Sequence, residues 1–225
     1  MDRYLALFGA FNPPTVAHVY MAEEVMELTG AKGVIFVPSK SQYISTDQGK
    51  DFVYSEYTRR MMLEELAKTR PWMKVYPWEL KQQEQPRTYT TLCQMKQDGL
   101  DASLLFGSDK LPELEHGWLH VEEIAKEFGI VVMERNEDDA EKIIAESAYL
   151  SSLAPYIQVL KLDLGLRDVS STKVRELVAE MITLMGSITS KEDLVRLRTL
   201  QRSFVLLVPK EIQKSLFLEY YYRKQ

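Results

Sequence analysis

Short apolar segments alternate with amphipathic segments along most of this 225-residue chain, and this alternation constrains the fold more than any other feature. The apolar runs predict buried strands at residues 4–9, 33–38, 73–79, 103–109, 130–135 and 157–163. Helical periodicity and helix-terminal residues predict helices at 15–29, 56–69, 89–99, 119–129, 138–147 and 170–181. A strand–helix–strand series forms a parallel sheet with helices on both faces. We therefore expect an α/β fold, a Rossmann-like doubly wound parallel sheet in one domain over residues 1–225, with a helical C-terminal part at about 186–225.

Composition excludes several classes of protein. The net charge of -5 argues against a nucleic-acid binder that depends on a general basic surface. The single cysteine, Cys93, gives no intrachain disulfide, and its place in a helical pattern indicates an inert core thiol. The first apolar run is too short for a signal peptide, and no 18-residue apolar segment follows it, so we expect a cytoplasmic protein without a membrane contact.

The stretch "GAFNPPTVAH" joins the first strand to the first helix. In doubly wound sheets ligands bind at the carboxyl ends of the strands, and Gly9 lets the backbone approach such a ligand closely. Thr15 is a suitable N-cap, and the free N–H groups of the following turn form an anion site. His18 lies one turn into the helix, where its imidazole can donate to a phosphate oxygen. The alternative is a capped helix with a partly buried histidine.

A second stretch, "DVSSTKVREL" at 168–177, places hydroxyl groups and cations at another helix start. Ser170, Ser171 and Thr172 precede or open the helix, and Lys173 and Arg175 follow within a turn. Cations oppose the helix dipole there, and a bound polyanion would remove that cost. The alternative is a plain capped helix with solvated charges. Neither a G-x-G-x-x-G nor a P-loop motif is present, which disfavours a dinucleotide dehydrogenase and a P-loop NTPase.

These two stretches carry a family resemblance. "GAFNPPTVAH" resembles the nucleotidyltransferase signature G-x-F-x-P-x-[HT]-x-x-H, and "VSSTKVR" is similar to its partner motif I-S-S-T-x-[IV]-R. With "YPWE" at 76–79, "TYTTL" at 88–92 and "LLFGSDKLPEL" at 104–114, the chain most resembles the nicotinamide/nicotinate mononucleotide adenylyltransferases. The similarity runs from residue 4 to about 180. The chain departs from many bacterial members at Thr15, where they have histidine, and at Ala17, where they have glycine.

The resemblance implies transfer of the adenylyl group of ATP to a mononucleotide phosphate, with release of pyrophosphate and with Mg²⁺ carried on the ATP phosphates. It implies His18 and Arg175 as catalytic groups. It implies an ATP site made of Gly9, Ala10, Phe11, Thr15, His18, Ser171, Thr172 and Arg175. Lys40 is a further candidate for a phosphate contact, and the alternative is a solvated loop lysine.

The pyridine mononucleotide is expected on the other side of the site. Trp78 is a candidate to stack on the pyridine ring, or else a core tryptophan at a strand end. Thr90, with Thr91, is a candidate to bond the amide or acid group, and Trp118 to form another wall. Asp109 is placed to accept from a ribose or amide group, or to cap a helix. The resemblance also assigns Asn12 to this substrate.

Other readings stay open at this point. The same motifs suit another nucleotidyltransferase, such as one that acts on pantetheine phosphate, or a nucleotide-binding regulator without turnover. His116 and His120 are interpreted as surface residues, and we predict no resident metal site. Residues 39–55 are polar and are expected to form a long loop. "EYYYRK" near the end of the chain is interpreted as an aromatic packing face or as a contact in a homo-oligomer.

Overall fold

Six parallel strands form one sheet in the part of the chain that the computed structural model describes, residues 3–46, 48–49, 52–134, 139–162, 165–166 and 168–224. The strands are β1 (Tyr4–Gly9), β2 (Val34–Pro38), β3 (Met73–Val75), β4 (Ala102–Gly107), β5 (Ile130–Glu134) and β6 (Ile157–Lys161). Their order across the sheet is β3-β2-β1-β4-β5-β6, and each neighbouring pair is parallel. This order confirms the predicted doubly wound α/β fold.

Helices cover both faces of the sheet. They are α1 (Val16–Thr29), α2 (Ser41–Thr46), α3 (Glu56–Ala67), α4 (Thr88–Gln97), α5 (Leu111–His116), α6 (Val121–Glu123), α7 (Ala140–Glu146), α8 (Ala148–Leu153), α9 (Ser171–Met185), α10 (Lys191–Leu207) and α11 (Gln213–Lys224). A π-helical turn, Ile124–Phe128, continues α6. Short 3₁₀ turns lie at Glu79–Lys81, Ser108–Lys110, Ala154–Tyr156 and Lys210–Ile212.

The central strands are buried on both faces, as expected for a parallel sheet between two helical layers. All five residues of β2 and all six of β4 are buried. Successive β1 residues face opposite sides, so that Leu5 and Leu7 belong to one core cluster and Ala6 to the other. The C-terminal helices pack on the first cluster through Val178, Phe204 and other buried residues.

Several predicted boundaries change in the structure. The third strand ends at Val75 rather than at residue 79, and the fourth ends at Gly107 rather than at 109. The predicted helix at 119–129 begins at Val121. Within 138–147 the structure gives α7, and α8 follows it without having been predicted. Residues 135, 138 and 163, at the ends of predicted elements, lie outside the described residues.

The expected loop at 39–55 contains a helix, which corrects the prediction. Ser41 begins α2, and its N–H donates to the Glu56 carboxylate at 2.8 Å. Ile44 on the same short helix is fully buried. Tertiary contacts therefore hold a polar six-residue helix that has little intrinsic stability. No helix in the described residues is long and apolar enough to cross a membrane.

Candidate active site

The site lies at the carboxyl ends of β1 and β4. The strand order reverses its direction between these two strands, and the crevice outside such a point is where open α/β sheets bind ligands. The turn from Gly9 to Thr15 leads from β1 into α1, and the 3₁₀ turn at Ser108–Lys110 follows β4. The start of α9 contacts the turn from Gly9 to Thr15.

Thr15 fixes the orientation and the tautomer of His18. Thr15 is the N-cap of α1, with extended backbone angles of φ -123° and ψ 168°. Its backbone N–H donates to Nδ1 of His18 at 3.1 Å, and its hydroxyl lies 2.8 Å from the same nitrogen. A backbone N–H can only donate, so Nδ1 accepts, and the proton of the neutral imidazole lies on Nε2. Nε2 of the half-buried His18 is thereby prepared as a hydrogen-bond donor.

Thr15 has a structural role beside its helix cap. Its side chain is fully buried and its hydroxyl contacts the imidazole, so it helps to orient His18, and a contact of Thr15 with ATP stays a prediction. The structure thus couples the two residues that the sequence placed one helical turn apart. It does so through the reciprocal half of a capping box.

Phe11 supports the imidazole from behind. It has φ 44°, is 2% exposed, and places its ring 5.4 Å from that of His18 in a T-shaped arrangement. A Cβ atom on Gly9 would lie 3.1 Å from the same phenyl ring, so a larger residue there would displace it. Gly9 therefore has a packing reason in addition to the predicted close approach of a ligand. The Asn12–Pro13 peptide bond in this turn is cis.

The two motifs contact each other across almost the whole chain. The Ser171 hydroxyl donates to the Pro13 carbonyl at 2.8 Å. The Arg175 guanidinium donates to the Asn12 carbonyl at 2.7 Å and to the Thr172 hydroxyl at 3.1 Å. Ser170 caps α9 by accepting from the Lys173 N–H. A cation and two helix N-termini therefore converge on one small region, which is the arrangement that binds a polyphosphate.

Asn12 itself is turned inward. Its side chain is fully buried, its amide donates to the Phe52 carbonyl at 2.8 Å, and its Oδ1 accepts from the Tyr54 N–H at 2.9 Å. A contact of Asn12 with the mononucleotide stays a prediction. Asn12 instead ties the turn after β1 to the segment before α3.

Trp78 follows β3 in the chain, and Trp118 follows α5. Both are half-buried and pack against the second core cluster, and Trp118 lies 6.0 Å from the Phe106 ring. Thr90 is exposed, whereas the Thr91 hydroxyl is buried and donates to Glu79 at 2.8 Å. Asp109 is exposed within the turn after β4. It is not the helix cap considered as an alternative, because Gly107 and Lys110 hold the cap positions there.

Glu79, the residue after Trp78 in the chain, carries a buried carboxyl group. It is 1% exposed and accepts from Gln85 Nε2 at 2.6 Å as well as from Thr91. Burial raises its pKa from 4.5 to about 7, against the opposing effect of these two hydrogen bonds. Gln85 also accepts from the Lys40 N–H at 2.8 Å. Glu79 thus links the segment after β3 to α4 and, through Gln85, to the end of β2.

The Lys40 side chain is largely buried and hydrogen-bonded, so it is not a solvated loop lysine. Its side chain is 13% exposed, and its amine donates to the Gln82 carbonyl at 2.6 Å and lies 4.0 Å from Glu56. In this structure it braces the segment after β3. A phosphate contact from Lys40 stays a prediction.

Arg59 is a buried residue that the sequence reasoning missed. It is 0% exposed, and it donates to the Ala10 carbonyl at 2.8 Å, the Tyr54 carbonyl at 3.1 Å and the Ser41 hydroxyl at 3.1 Å. Burial lowers its pKa to about 10, while the charges of Glu56 and Glu219 act in the opposite direction. The burial of Arg59 could have been predicted from the sequence, because Arg59 shares the helical spacing of the buried residues Met62, Leu63 and Leu66.

The remaining candidates lie outside the crevice. His116 is exposed, and His120 stacks on Tyr89 at 5.0 Å and lies 3.3 Å from a Glu123 oxygen. Cys93 is half-buried at the edge of the second core cluster. Among the residues that the structure describes, no three His, Cys, Asp or Glu side chains are placed to hold a metal ion.

Comparison with known proteins defines the class. The family model described as cytidylyltransferase-like matches residues 6–177, so the chain belongs to the cytidylyltransferase-like family. A probable nicotinate-nucleotide adenylyltransferase of Caldicellulosiruptor saccharolyticus is 30% identical over 179 residues, which cover 78% of this chain and 87% of that protein. A nicotinamide/nicotinic acid mononucleotide adenylyltransferase of rice, Oryza sativa subsp. japonica, is 27% identical, with 80% and 78% covered. These relatives confirm the resemblance inferred from the motifs.

Solved structures confirm the fold. The nicotinic acid mononucleotide adenylyltransferase of Plasmodium falciparum complexed with NaAD superposes with a TM-score of 0.63 at 14% identity, over 94% of this chain and 93% of that one. The same protein complexed with APC gives a TM-score of 0.57 at 16% identity, with 79% and 84% covered.

Proposed function

We propose that this protein transfers the adenylyl group of ATP to nicotinate or nicotinamide mononucleotide and releases pyrophosphate, giving deamido-NAD or NAD. The observation that carries the proposal is the fixed tautomer of His18. Its Nδ1 accepts from Thr15, which leaves Nε2–H as a donor beside the N-terminus of α1 and within the region closed by α9. The relatives named above carry this activity in their names.

The chemistry needs alignment and charge neutralisation, not a general base. The nucleophile is a phosphate monoester, whose second pKa is about 6, so it is already largely dianionic near neutral pH. It attacks the α-phosphorus of ATP, the new P–O bond forms, and the bond to pyrophosphate breaks. Negative charge on the oxygens of the transferred phosphorus must be stabilised in the transition state.

His18 and α9 supply that stabilisation. His18 Nε2–H donates to an α-phosphate oxygen, and Thr15 and Phe11 hold the ring in position for it. The backbone N–H groups of the turn after Gly9 and of the first turn of α1 hold the triphosphate. Arg175 and Thr172 contact the β- and γ-phosphates from the start of α9, and Ser171 fixes that helix to Pro13.

The proposed reaction uses ATP together with a divalent ion. Mg²⁺ carried on ATP would neutralise part of the charge of the phosphates, and the side-chain hydroxyl oxygens at the start of α9 would suit an ion carried in this way. The described residues offer no acidic cluster that would hold the ion without ATP.

The pyridine mononucleotide occupies the side of Trp78 and Trp118. Trp78 offers an indole face for the pyridine ring, and Trp118 forms a second wall. Asp109 accepts from a ribose hydroxyl or the pyridine amide, and Thr90 contacts the amide or acid group. The exposure of Thr90 and Asp109 supports these roles. Asn12 positions the turn after β1 through its bonds to residues 52 and 54.

We expect Trp78→Ala to raise the KM for the mononucleotide about ten- to a hundredfold and to leave the KM for ATP nearly unchanged, because one stacking contact contributes roughly 1–3 kcal/mol. Steady-state kinetics with each substrate varied in turn would measure both values. Trp72→Ala is the matched control, since Trp72 is also partly buried but bonds Glu23 on the other face of the sheet. Equal losses for both substrates in the Trp78 variant would refute the stacking assignment.

Product analysis tests the reaction itself. The protein is incubated with ATP, Mg²⁺ and nicotinate mononucleotide, nicotinamide mononucleotide or pantetheine phosphate, and dinucleotide and pyrophosphate are followed by chromatography. A dinucleotide from either pyridine substrate is the expected result, and the ratio of the two kcat/KM values gives the preference. Turnover with pantetheine phosphate alone, or ATP binding without any product, would contradict the proposal.

A further inference from the structure

The C-terminal helix α11 contacts the segment that supports the nucleotide-binding turn. The family model ends at residue 177, so α11 lies outside the region that defines the family. Leu216 and Tyr220 of α11 are buried in the core cluster that also contains Phe11 and Tyr54. The helix is therefore integrated into the same side of the molecule as the turn after β1.

Glu219 makes the specific part of this contact. Its Oε1 accepts from the Ser55 N–H at 2.6 Å, and its Oε2 accepts from the Ser55 hydroxyl at 3.1 Å. Ser55 is also the N-cap of α3, since its hydroxyl accepts from the Thr58 N–H. Beside it, the Phe52 and Tyr220 rings pack with centroids 4.6 Å apart. Two hydrogen bonds and one ring contact thus fix residues 52–55 to α11.

Two residues of the segment 52–55 hold the nucleotide-binding turn through Asn12. The Phe52 carbonyl accepts from the Asn12 amide, and the Tyr54 N–H donates to its Oδ1. The Asn12 carbonyl in turn accepts from Arg175 at 2.7 Å. Glu219 is therefore connected to Arg175 through the backbone of residues 52–55 and the hydrogen bonds of Asn12.

Arg59 forms a second connection. It lies one turn into α3, the helix that Ser55 caps, and it bonds both the Tyr54 and the Ala10 carbonyls. A buried guanidinium needs compensating negative charge. The carboxylates of Glu56 and Glu219 provide it, since both act against the burial that lowers the Arg59 pKa. Glu219 bonds Ser55, the N-cap of α3, and Arg59 on the same helix bonds the Ala10 carbonyl, so a shift of α3 would also move the turn after β1.

We propose that Glu219 is a positioning residue for adenylyl transfer, which sets the turn at residues 9–13 through Ser55, Asn12 and Arg59. Its described hydrogen bonds go to Ser55 and not to the turn itself. The inference rests on the proposed function, because it assigns to α11 a part in the geometry of the ATP side of that site. The segment that contains Trp78, proposed for the mononucleotide, is held by different bonds, those of Gln85 and Thr91 to Glu79.

Glu219→Ala tests the proposal. We expect kcat/KM for ATP to fall about tenfold, the size of effect that a positioning contact typically has, while the KM for the mononucleotide stays within about twofold. The kinetics are measured well below the melting temperature of each variant. Glu219→Gln keeps an oxygen for the Ser55 N–H and an amide for the Ser55 hydroxyl but removes the charge. We expect it to restore part of the activity.

Glu211→Gln is the matched control. Glu211 also joins the C-terminal region to the rest of the molecule, through an ion pair with Arg70 at 3.2 Å, but it does not contact residues 52–55 in the bonds described. We expect this variant to lower the melting temperature and to leave both substrate constants unchanged. Equal kinetic losses at Glu211 and Glu219, or none at Glu219, would overturn the positioning role.

A binding measurement separates this inference from the proposed function. The affinity of each variant for α,β-methylene ATP is measured by calorimetry, which requires no turnover. A wild-type protein that forms no dinucleotide would contradict the function alone, and weaker binding of the analogue to Glu219→Ala than to Glu211→Gln would still support the connection. An active wild type with equal analogue binding and equal kinetics in all variants would overturn the connection alone.

Discussion

We expect His18→Ala to lower kcat about 10²- to 10³-fold, because it removes one preorganised donor to charge that develops in the transition state. The KM values should change little, since the donor is most strongly engaged when the α-phosphorus is under attack. Steady-state and single-turnover kinetics would measure the loss. Thr15 and Phe11 hold the ring without a ligand, so the donor is in place before the reaction begins.

His18 has a second role, which a control variant must separate from the first. As the third residue of α1 it accepts from the N-cap N–H of Thr15, and its removal costs about 1 kcal/mol of helix capping. His18→Asn keeps an acceptor for that N–H but is too short to place a donor where Nε2 lies. A short side chain makes the same bond in α10. There Asp193, the third residue of the helix, accepts from the N–H of the N-cap residue Ser190 at 3.0 Å.

The Asn variant should therefore recover stability in urea unfolding and keep the low kcat. His116→Ala, which removes an exposed imidazole, should behave as wild type. Wild-type turnover in His18→Asn would show that the donor on Nε2 has no catalytic role, and the mechanism would have to be abandoned.

The sequence predicted the fold well where local pattern and tertiary structure agree. The apolar runs of β1, β2, β4 and β5 are buried on both faces, so length and apolar content alone identify them. The stop of α1 at Gly30 followed from the left-handed backbone, φ 63°, that a glycine C-cap adopts. These features are set by residues near one another in the chain.

The errors arise where distant contacts decide the structure. "MKVYPWE" has the content of one strand, but Pro77 lacks the N–H that a continued β-ladder would need, and the chain turns after Val75. The helix α2 depends on Glu56 and Arg59, which bond Ser41 across 15 and 18 residues. The packing of Asn12 could not be predicted from local pattern either, because its side-chain partners lie 40 and 42 residues away.

We expect the buried carboxyl of Glu79 to make the free energy of unfolding depend on pH. Its pKa is 4.5 when exposed and about 7 in the folded protein, because burial disfavours the carboxylate. Between these values the folded state binds a proton that the unfolded state has lost. The stabilising contribution of the protonated carboxyl is therefore complete below pH 4.5 and is lost as the pH rises through about 7.

We expect Glu79→Gln to stabilise the protein by about 2–3 kcal/mol more at pH 8.5 than at pH 5, which follows from a shift of this size at 1.4 kcal/mol for each pKa unit. Glutamine fits the same bonds. Its oxygen accepts from Gln85 Nε2, and its amide donates to the Thr91 hydroxyl, which can accept as well as donate. The variant thus removes the titrating group and keeps a hydrogen-bonding group opposite both Gln85 and Thr91.

Urea unfolding of the wild type and the variant at both pH values measures the effect. The quantity of interest is the change with pH of the difference in free energy of unfolding, because other titrating groups contribute equally to both proteins and cancel. Glu84→Gln, an exposed change in the same segment, controls for the general loss of one negative charge. If the stability difference between wild type and Glu79→Gln is the same at pH 5 and pH 8.5, the Glu79 carboxyl is already ionised at pH 5. Burial would then not be what sets its protonation.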